Sequence, residues 1–316
     1  MKKSKAVLIL LRLPFLVVSA GAVFVGTAFA WKNTGQFNLV FFLLTFLGAC
    51  FLHIACNVAN DYFDFKSGND ALNRSGMAPF SGGSRMVADG FVKPREALKI
   101  SILFVFFGSA IGLYLNAKSE GNVILFIGLA AIFFVFSYNG FPIRLVNKGL
   151  GEVAIFLAWG PLMVLGAYYV QAQSLSSPWA LIVAVPSGVL TTMVLLINEF
   201  ADKEADFSTK RKTWVVLFGF KKSLMIYLFL AMSCYAIVLI GVLFGDWPIW
   251  SLLVMVTLPL PFMAYKIGLS NLENWPGFLP AVKNTILMNF VFLAILSVSF
   301  IVSDEKRKER TRKEQF

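Results

Sequence analysis

Two groups of acidic and amide side chains follow long apolar runs at a spacing suited to metal binding. In the first, Asn60 and Asp64 are four residues apart, and Gly68 precedes Asp70 by two residues. If the preceding helix continues through Asp64, both side chains share one helical face, and Gly68 allows a turn that brings Asp70 back toward them. Carboxylate and amide oxygens are the ligands that Mg²⁺ prefers. The first group therefore predicts one half of a magnesium site.

The second group repeats the pattern about 140 residues later, because Asn198, Asp202 and Asp206 share one helical face over two turns. Two such oxygen-rich faces can hold Mg²⁺ and, through it, a diphosphate. Solvated loop acids balanced by nearby lysines are the alternative. That alternative does not require the repeated i, i+4 spacing or the paired asparagines.

Basic side chains follow each acidic group. The glycine-rich turn Ser81–Arg85 ends in an arginine, and Lys210 and Arg211 come soon after the second group. A third loop of the same kind carries Tyr138 and Lys148. Backbone N–H groups, guanidinium and ammonium groups all bind phosphate oxygens, so these loops could neutralise the charge that Mg²⁺ leaves on a diphosphate.

Composition identifies an integral membrane protein, since 58% of the 316 residues are hydrophobic and 14% are charged. The net charge of +11 does not indicate nucleic acid, because cations beside apolar spans usually set topology and meet the anionic headgroups of the lipid bilayer. Three cysteines without motif spacing and one histidine, His53, exclude a cysteine- or histidine-based metal site. Nothing in the sequence indicates a protein partner.

The apolar runs predict an all-α membrane protein of about nine transmembrane helices, since each is near the ~20 residues that cross a bilayer. We expect a single domain, 1–316, with a flexible basic tail at 303–316. Arg12 lies near the start of the first run, where its charge can snorkel to the interface. The runs are 8–30, 38–59, 98–115, 123–138, 153–170, 179–197, 223–244, 249–267 and 284–302.

Loop charges predict the orientation, because Lys and Arg accumulate on the cytoplasmic side. The N-terminus and the even-numbered loops hold 20 of the 28 Lys and Arg residues, whereas the odd-numbered loops hold Lys32 and Lys118. The N-terminus and both acidic groups are therefore expected to be cytoplasmic, in a bacterial inner (cytoplasmic) membrane. Nine helices place the basic tail on the opposite side, so a re-entrant or missing span is the alternative.

A diphosphate-binding mouth on an apolar bundle suits a ligand with an anionic head and a hydrocarbon tail. A polyprenyl diphosphate has that form. The 33 phenylalanines suit such a tail, and their ring faces could stabilise an allylic cation.

The sequence resembles the UbiA-type intramembrane aromatic prenyltransferases over nearly its whole length. The resemblance rests on Asn60-x-x-x-Asp64-x-x-x-x-x-Asp70 and on Asn198-x-x-x-Asp202-x-x-x-Asp206. The longer spacing to the last aspartate of the first motif is similar to the 1,4-dihydroxy-2-naphthoate polyprenyltransferase branch of menaquinone biosynthesis. Two further segments resemble that branch, namely Gly83-Ser84-Arg85 and Lys148-Gly149-Leu150-Gly151-Glu152.

The resemblance implies a bundle around a central cavity, an active site at the cytoplasmic mouth and Mg²⁺ as cofactor. It implies Mg²⁺ ligands at Asp64, Asp70, Asp202 and Asp206. Asn60 and Asn198 would bind or orient the metal and the diphosphate. The diphosphate would contact Arg85, Lys148, Lys210 and Arg211. Tyr138 would face the allylic cation or orient the acceptor, and Asp61 would assist metal binding or acceptor deprotonation.

The implied reaction joins a polyprenyl group to an aromatic acceptor. With 1,4-dihydroxy-2-naphthoate, transfer accompanied by decarboxylation gives demethylmenaquinone. Within the family, the acceptor could instead be 4-hydroxybenzoate, a tetrapyrrole or a glycerol phosphate. Outside it, a membrane transporter or a prenyl-lipid-binding protein are the alternatives, although the acids cluster at one mouth and leave no evident second gate.

Overall fold

The computed structural model of the protein describes residues 1–73 and 82–314, with side chains up to Ser303. All regular structure in this part of the chain is helical, as predicted. The α-helices are α1 (Lys3–Leu10), α2 (Leu16–Thr34), α3 (Leu39–Ser67), α4 (Asn69–Leu72), α5 (Pro94–Ala117), α6 (Val123–Ser137), α7 (Gly151–Leu157), α8 (Met163–Ala172), α9 (Trp179–Ser208), α10 (Trp214–Phe244), α11 (Pro259–Ser270) and α12 (Trp275–Glu314).

Several spans are assembled from two helices. A 3₁₀ turn at Leu13–Phe15 joins α1 to α2, and a π-helical turn at Ala158–Leu162, containing Pro161, joins α7 to α8. In the described chain, eight helical segments are long and apolar enough to cross a membrane. The ninth apolar helix, α6, has 15 residues and is about 22 Å long, so flanking residues must complete its crossing. The predicted bundle of about nine helices is confirmed.

Helix α9 is the central helix of the bundle. In its most apolar stretch, 78% of the residues are buried inside the protein, whereas the corresponding fraction in α5 is 17%. Close packing requires small residues, because lipid is as apolar as a leucine side chain and gives helices no hydrophobic reason to associate. A Cβ atom on Gly188 of α9 would lie 2.5 Å from Phe156 O and 3.1 Å from Gly160 Cα. Glycine at this position therefore lets α9 approach α7 and the π turn.

Buried hydroxyl pairs also connect the helices that surround α9. Tyr227 of α10 bonds to Thr285 of α12 at 2.8 Å, and Tyr235 of α10 bonds to Thr257 at 2.8 Å. These contacts satisfy polar groups that lipid cannot solvate. The packed helices hold the C-terminal ends of α3 and α9 on the same side of the bundle, where α4 contacts α9.

Candidate active site

The segment that follows the first acidic motif bridges to the second. Asn69 Nδ2, at the start of α4, donates to Asp206 Oδ1 at 2.9 Å. Asn73, just after α4, donates from its side-chain amide to Asp202 Oδ1. The two motifs, more than 120 residues apart in sequence, therefore meet at one end of the bundle.

Gly68 makes the turn that the sequence predicted. It ends α3 in the left-handed conformation with φ 77°, and α4 then returns Asp70 to the neighbourhood of Asp64 and Asp61. Burial, followed by the charges of these two carboxylates, raises the pKa of Asp70 to about 8. Both carboxylate oxygens of Asp70 are buried and have no hydrogen-bond partner in the described chain.

Arg211 lies between the two motifs. Its guanidinium forms ion pairs with Asp64 and, at 3.4 Å, with Asp206. Lys210 turns the chain after α9 with φ 61°, and Arg211 N then donates to Asp206 O at 2.9 Å. Although burial alone lowers the pKa of Arg211, the charges of the two aspartates raise it above the usual range. Arg211 is thus a fixed cation inside the acidic cluster.

The loop after α6 also reaches the cluster. Asn60 Nδ2 donates to Asp64 Oδ2 at 3.0 Å, as the i, i+4 spacing predicted. Asn139 Nδ2 donates to Asp64 Oδ1 at 2.8 Å and also to Asn60 Oδ1. These amides fix the rotamer of Asp64.

Asp61 anchors the glycine-rich turn. Its carboxylate accepts hydrogen bonds from Ser84 N at 3.2 Å and from Ser84 Oγ. Gly83 has φ 67°, and a Cβ atom there would lie 2.8 Å from Asp61 Oδ1, so the turn needs glycine. Asp61 therefore holds the turn, which was not its predicted role. Ser81 lies outside the described residues.

Three cations predicted to contact diphosphate have other positions. Arg85 donates to the backbone oxygens of Asp70 at 3.1 Å and Asn73 at 2.7 Å, so its guanidinium holds the end of α4. Lys148 and Lys210 are exposed on loops beside the site. None of the three lines the polar cavity beside the motifs, and their contact with diphosphate stays a prediction.

A polar cavity of about 180 Å³ opens beside the two motifs. The sequence-predicted residues that line it are Asn60, Asp64, Tyr138, Asn198, Asp202, Asp206 and Arg211. Gly82 and Gly83 of the glycine-rich turn line it as well. The structure thus brings most of the predicted site residues to one space.

An apolar cleft of about 320 Å³ adjoins this cavity between α3, α5, α6 and α8. His53, Cys56 and Trp159 line both spaces. His53 is a packing residue, as predicted, since its Nδ1 bonds to Ser19 Oγ at 2.8 Å and its ring meets Trp159 edge-on. The site therefore combines an acidic, polar head space with a hydrocarbon-lined space.

The model of the UbiA prenyltransferase family matches residues 19–300, which is most of the chain. This chain belongs to the UbiA prenyltransferase family. It is 30% identical over 247 residues to the 2-carboxy-1,4-naphthoquinone phytyltransferase of Synechocystis, covering 78% of this chain and 76% of that protein. It is 26% identical over 288 residues to the 1,4-dihydroxy-2-naphthoate octaprenyltransferase of Bacillus subtilis, covering 91% and 89%.

Solved structures of other UbiA proteins share the fold. A UbiA homologue from Aeropyrum pernix superposes with a TM-score of 0.68 at 16% identity, covering 92% of this chain and 98% of that chain. A homologue from Archaeoglobus fulgidus bound to GPP and Mg²⁺ superposes with a TM-score of 0.65 at 18% identity, covering 94% and 99%. At these identities, the likeness establishes the shared helical fold.

The donor chemistry of this UbiA site fits Mg²⁺. Among the described residues, no three His, Cys, Asp or Glu side chains are close enough together to hold a metal ion, and Arg211 and Asn69 contact two of the carboxylates. However, both oxygens of Asp70 and Oδ1 of Asn198 are buried without a partner. A cation with oxygen ligands would satisfy these atoms.

Sequence reasoning missed several residues of the cavity. Arg12 was expected to snorkel, but it has φ 51° at the break after α1 and lines the cavity, with a buried Nε that has no partner in the described chain. The break turns its side chain inward. Leu13-Pro14, which follows Arg12, is the sequence feature that could have indicated this break. Glu199, which also lines the cavity, had no spacing that assigned it a role.

Proposed function

We propose that this UbiA protein transfers a polyprenyl group from a polyprenyl diphosphate to 1,4-dihydroxy-2-naphthoate in a Mg²⁺-dependent reaction. The meeting of both Asn-x-x-x-Asp motifs at a polar cavity beside an apolar cleft carries this proposal. A substrate with a diphosphate head and an isoprenoid tail fits the two adjoining spaces. The names of the Synechocystis and Bacillus subtilis relatives favour a naphthoate-type acceptor.

The acidic motifs would hold Mg²⁺ through oxygen ligands. The metal ligands in this proposal are Asp64, Asp70, Asp202 and Asp206. Asn60 and Asn198 would complete or orient this set. When bound, Mg²⁺ would neutralise the diphosphate and stabilise the charge that develops on it as it leaves.

Two arginines that line the cavity would supply further positive charge to the diphosphate. Arg211 already lies between the motifs, and Arg12 presents its buried, unpartnered Nε. Lys148 and Lys210 are exposed beside the mouth, where they would raise the local concentration of an anionic substrate. Arg85 would act through the loop that it holds.

In the proposed reaction, the allylic C–O bond breaks and diphosphate leaves with the bonding electrons. The electron-rich ring carbon that carries the acceptor's carboxylate attacks the allylic cation and forms a C–C bond. The carboxylate then leaves as CO₂, and its bonding electrons return to the ring, which gives demethylmenaquinone in its reduced form. Tyr138 and Trp159 line the cavity, and their ring faces can stabilise the cation.

We further propose that the site faces the cytoplasm of a bacterial cell from its inner membrane. The distribution of Lys and Arg supports this orientation, since the even-numbered loops, which carry both motifs, are the basic ones.

The test is a turnover assay on detergent-purified protein with geranylgeranyl diphosphate, Mg²⁺ and a panel of acceptors, with product detection by mass spectrometry. We expect a prenylated, decarboxylated naphthoate product. Asp202→Asn should abolish it, whereas Glu204→Gln, an exposed change on the same helix, should not. Product only with 4-hydroxybenzoate, a tetrapyrrole or a glycerol phosphate would contradict the proposed acceptor.

A further inference from the structure

A second pair of buried carboxyl groups lies beside the second motif. Glu152, at the start of α7, has no exposed surface, and Glu199, on α9, is 4% exposed. The two residues lie on packed helices, where Thr192 Oγ1 of α9 donates to Glu152 O at 3.3 Å, and their carboxyl groups are close enough to interact electrostatically. Glu199 precedes Asp202 by three residues, which places it roughly 4.5 Å deeper along the helix axis.

The pair lacks the cations and donors that normally accompany buried carboxylates. Glu152 Oε1 accepts a hydrogen bond from Trp214 N, but Oε2 has no partner. Neither oxygen of Glu199 receives a hydrogen bond from an N–H or O–H group of the described residues, and no ion pair to either glutamate occurs there. Buried, unsatisfied carboxylates are costly at membrane depth, so an incoming ligand has a reason to bind them.

One member of the pair borders the polar cavity. Glu199 lines the polar cavity together with Tyr138 and Thr191. Tyr138 packs beside the start of α7, since a Cβ atom on Gly151 would lie 3.5 Å from the Tyr138 hydroxyl oxygen. Glu199 therefore belongs to the wall of the cavity, and Glu152 is fully buried without lining it.

We propose that Glu199, supported by Glu152, binds the ring hydroxyl groups of the acceptor. This inference rests on the proposed function and identifies the binding site for a hydroxylated aromatic ring. A buried carboxyl oxygen accepts hydrogen bonds from O–H donors, and such bonds also increase the electron density of the ring that attacks the allylic carbon.

The test measures equilibrium binding, without turnover, of 1,4-dihydroxy-2-naphthoate and of its 1,4-dimethoxy counterpart. Wild-type protein should prefer the dihydroxy compound. Glu199→Ala should weaken binding of the dihydroxy compound about twofold to tenfold, because a hydrogen bond is lost, and should leave the dimethoxy compound unaffected. Glu199→Gln, which keeps an acceptor oxygen, should recover part of the preference, and Glu204→Ala should match wild type.

The variants should remain folded, so a change in their binding would not reflect a loss of stability. Glu199→Ala removes a buried carboxylate without breaking any hydrogen bond to a donor in the described chain, so thermal stability should hold or rise. Glu152→Gln keeps the oxygen that Trp214 N contacts, and it provides the second variant.

Unchanged preference in Glu199→Ala would overturn the inference. The inference would also be overturned if Glu199→Ala weakened the binding of geranylgeranyl diphosphate or Mg²⁺ and left acceptor binding intact. That result would make the pair a cation site. If wild-type protein binds the dihydroxy compound through Glu199 but forms no product, the proposed function fails while this binding site stands.

Discussion

Replacing Arg211 with alanine should make the stability of the protein depend on Mg²⁺. The side chain of Arg211 is 11% exposed and forms ion pairs with Asp64 and Asp206, one from each motif. Its removal leaves two buried carboxylates without their counter-charge. A divalent cation at the same place would supply that charge instead.

The expected loss is large because the ion pairs are buried. Breaking a buried pair by removing one partner costs about 3–5 kcal/mol. At about 2 °C per kcal/mol for a chain of this size, the melting temperature of metal-free Arg211→Ala should fall by roughly 6–10 °C. Mg²⁺ at a hundred times its dissociation constant contributes about 2.7 kcal/mol to the native state and should restore much of the difference.

The assay is thermal unfolding of detergent-purified protein with EDTA and with Mg²⁺. Lys210→Ala is the matched control, because Lys210 is the adjacent residue, is basic and is exposed, and its change should stay within about 0.5 kcal/mol. Arg211→Lys keeps the charge but loses the guanidinium fork, so it should fall between the two. An equal loss of stability in Arg211→Ala with and without Mg²⁺ would refute the idea that the metal and Arg211 neutralise the same carboxylates.

Three further predictions concern the prenyl tail of the substrate, the glycine-rich turn and Mg²⁺. Gly128→Phe should shorten the longest prenyl tail that the enzyme accepts and spare geranyl diphosphate. Gly128 lines the apolar cleft about 14 Å from Ser137 along α6, and a Cβ atom there would meet nothing within 4 Å in the described chain. An unchanged preference for prenyl chain length in a competition assay would contradict this. Gly83→Ala should lower activity and destabilise the protein by about 1 kcal/mol or more, because its φ of 67° and the contact with Asp61 both favour glycine, and unfolding scans would detect this change. EDTA should abolish turnover and added Mg²⁺ should restore it, whereas turnover that survives chelation would remove Mg²⁺ from the proposal.

Much of the fold could be predicted because a membrane-spanning helix is recognisable in the sequence by its length and hydrophobicity. Each of the nine apolar runs corresponds to a helical segment, including the shortest, α6. Contacts and turns between residues close in sequence could be predicted as well. The i, i+4 spacing gave the contact between Asn60 and Asp64, and Gly68 gave the turn after α3.

Contacts between distant residues could not be predicted from spacing. Arg211 reaches Asp64 across 147 positions, and the sequence contains several other basic residues near the motifs that could have made this contact. The contacts of Arg85 with the backbone oxygens of Asp70 and Asn73 likewise had no signal in the sequence. Which cation turns inward depends on how the loops pack.

Arg12 shows the same limit for backbone geometry. Its left-handed conformation lies between α1 and the turn before α2, and it converts a residue expected at the interface into one that lines the cavity. Leu13-Pro14 indicated a break in the helix, but the direction in which the break would point Arg12 depended on tertiary structure.

The most direct test of the central proposal follows the fate of the acceptor carboxylate. Purified protein would be given geranylgeranyl diphosphate, Mg²⁺ and 1,4-dihydroxy-2-naphthoate labelled with ¹³C in its carboxylate. We predict one labelled CO₂ and one diphosphate for each prenylated, unlabelled ring, with neither formed by Asp64→Asn. Release of diphosphate without a prenylated ring, or a product that keeps the label, would contradict the proposed reaction.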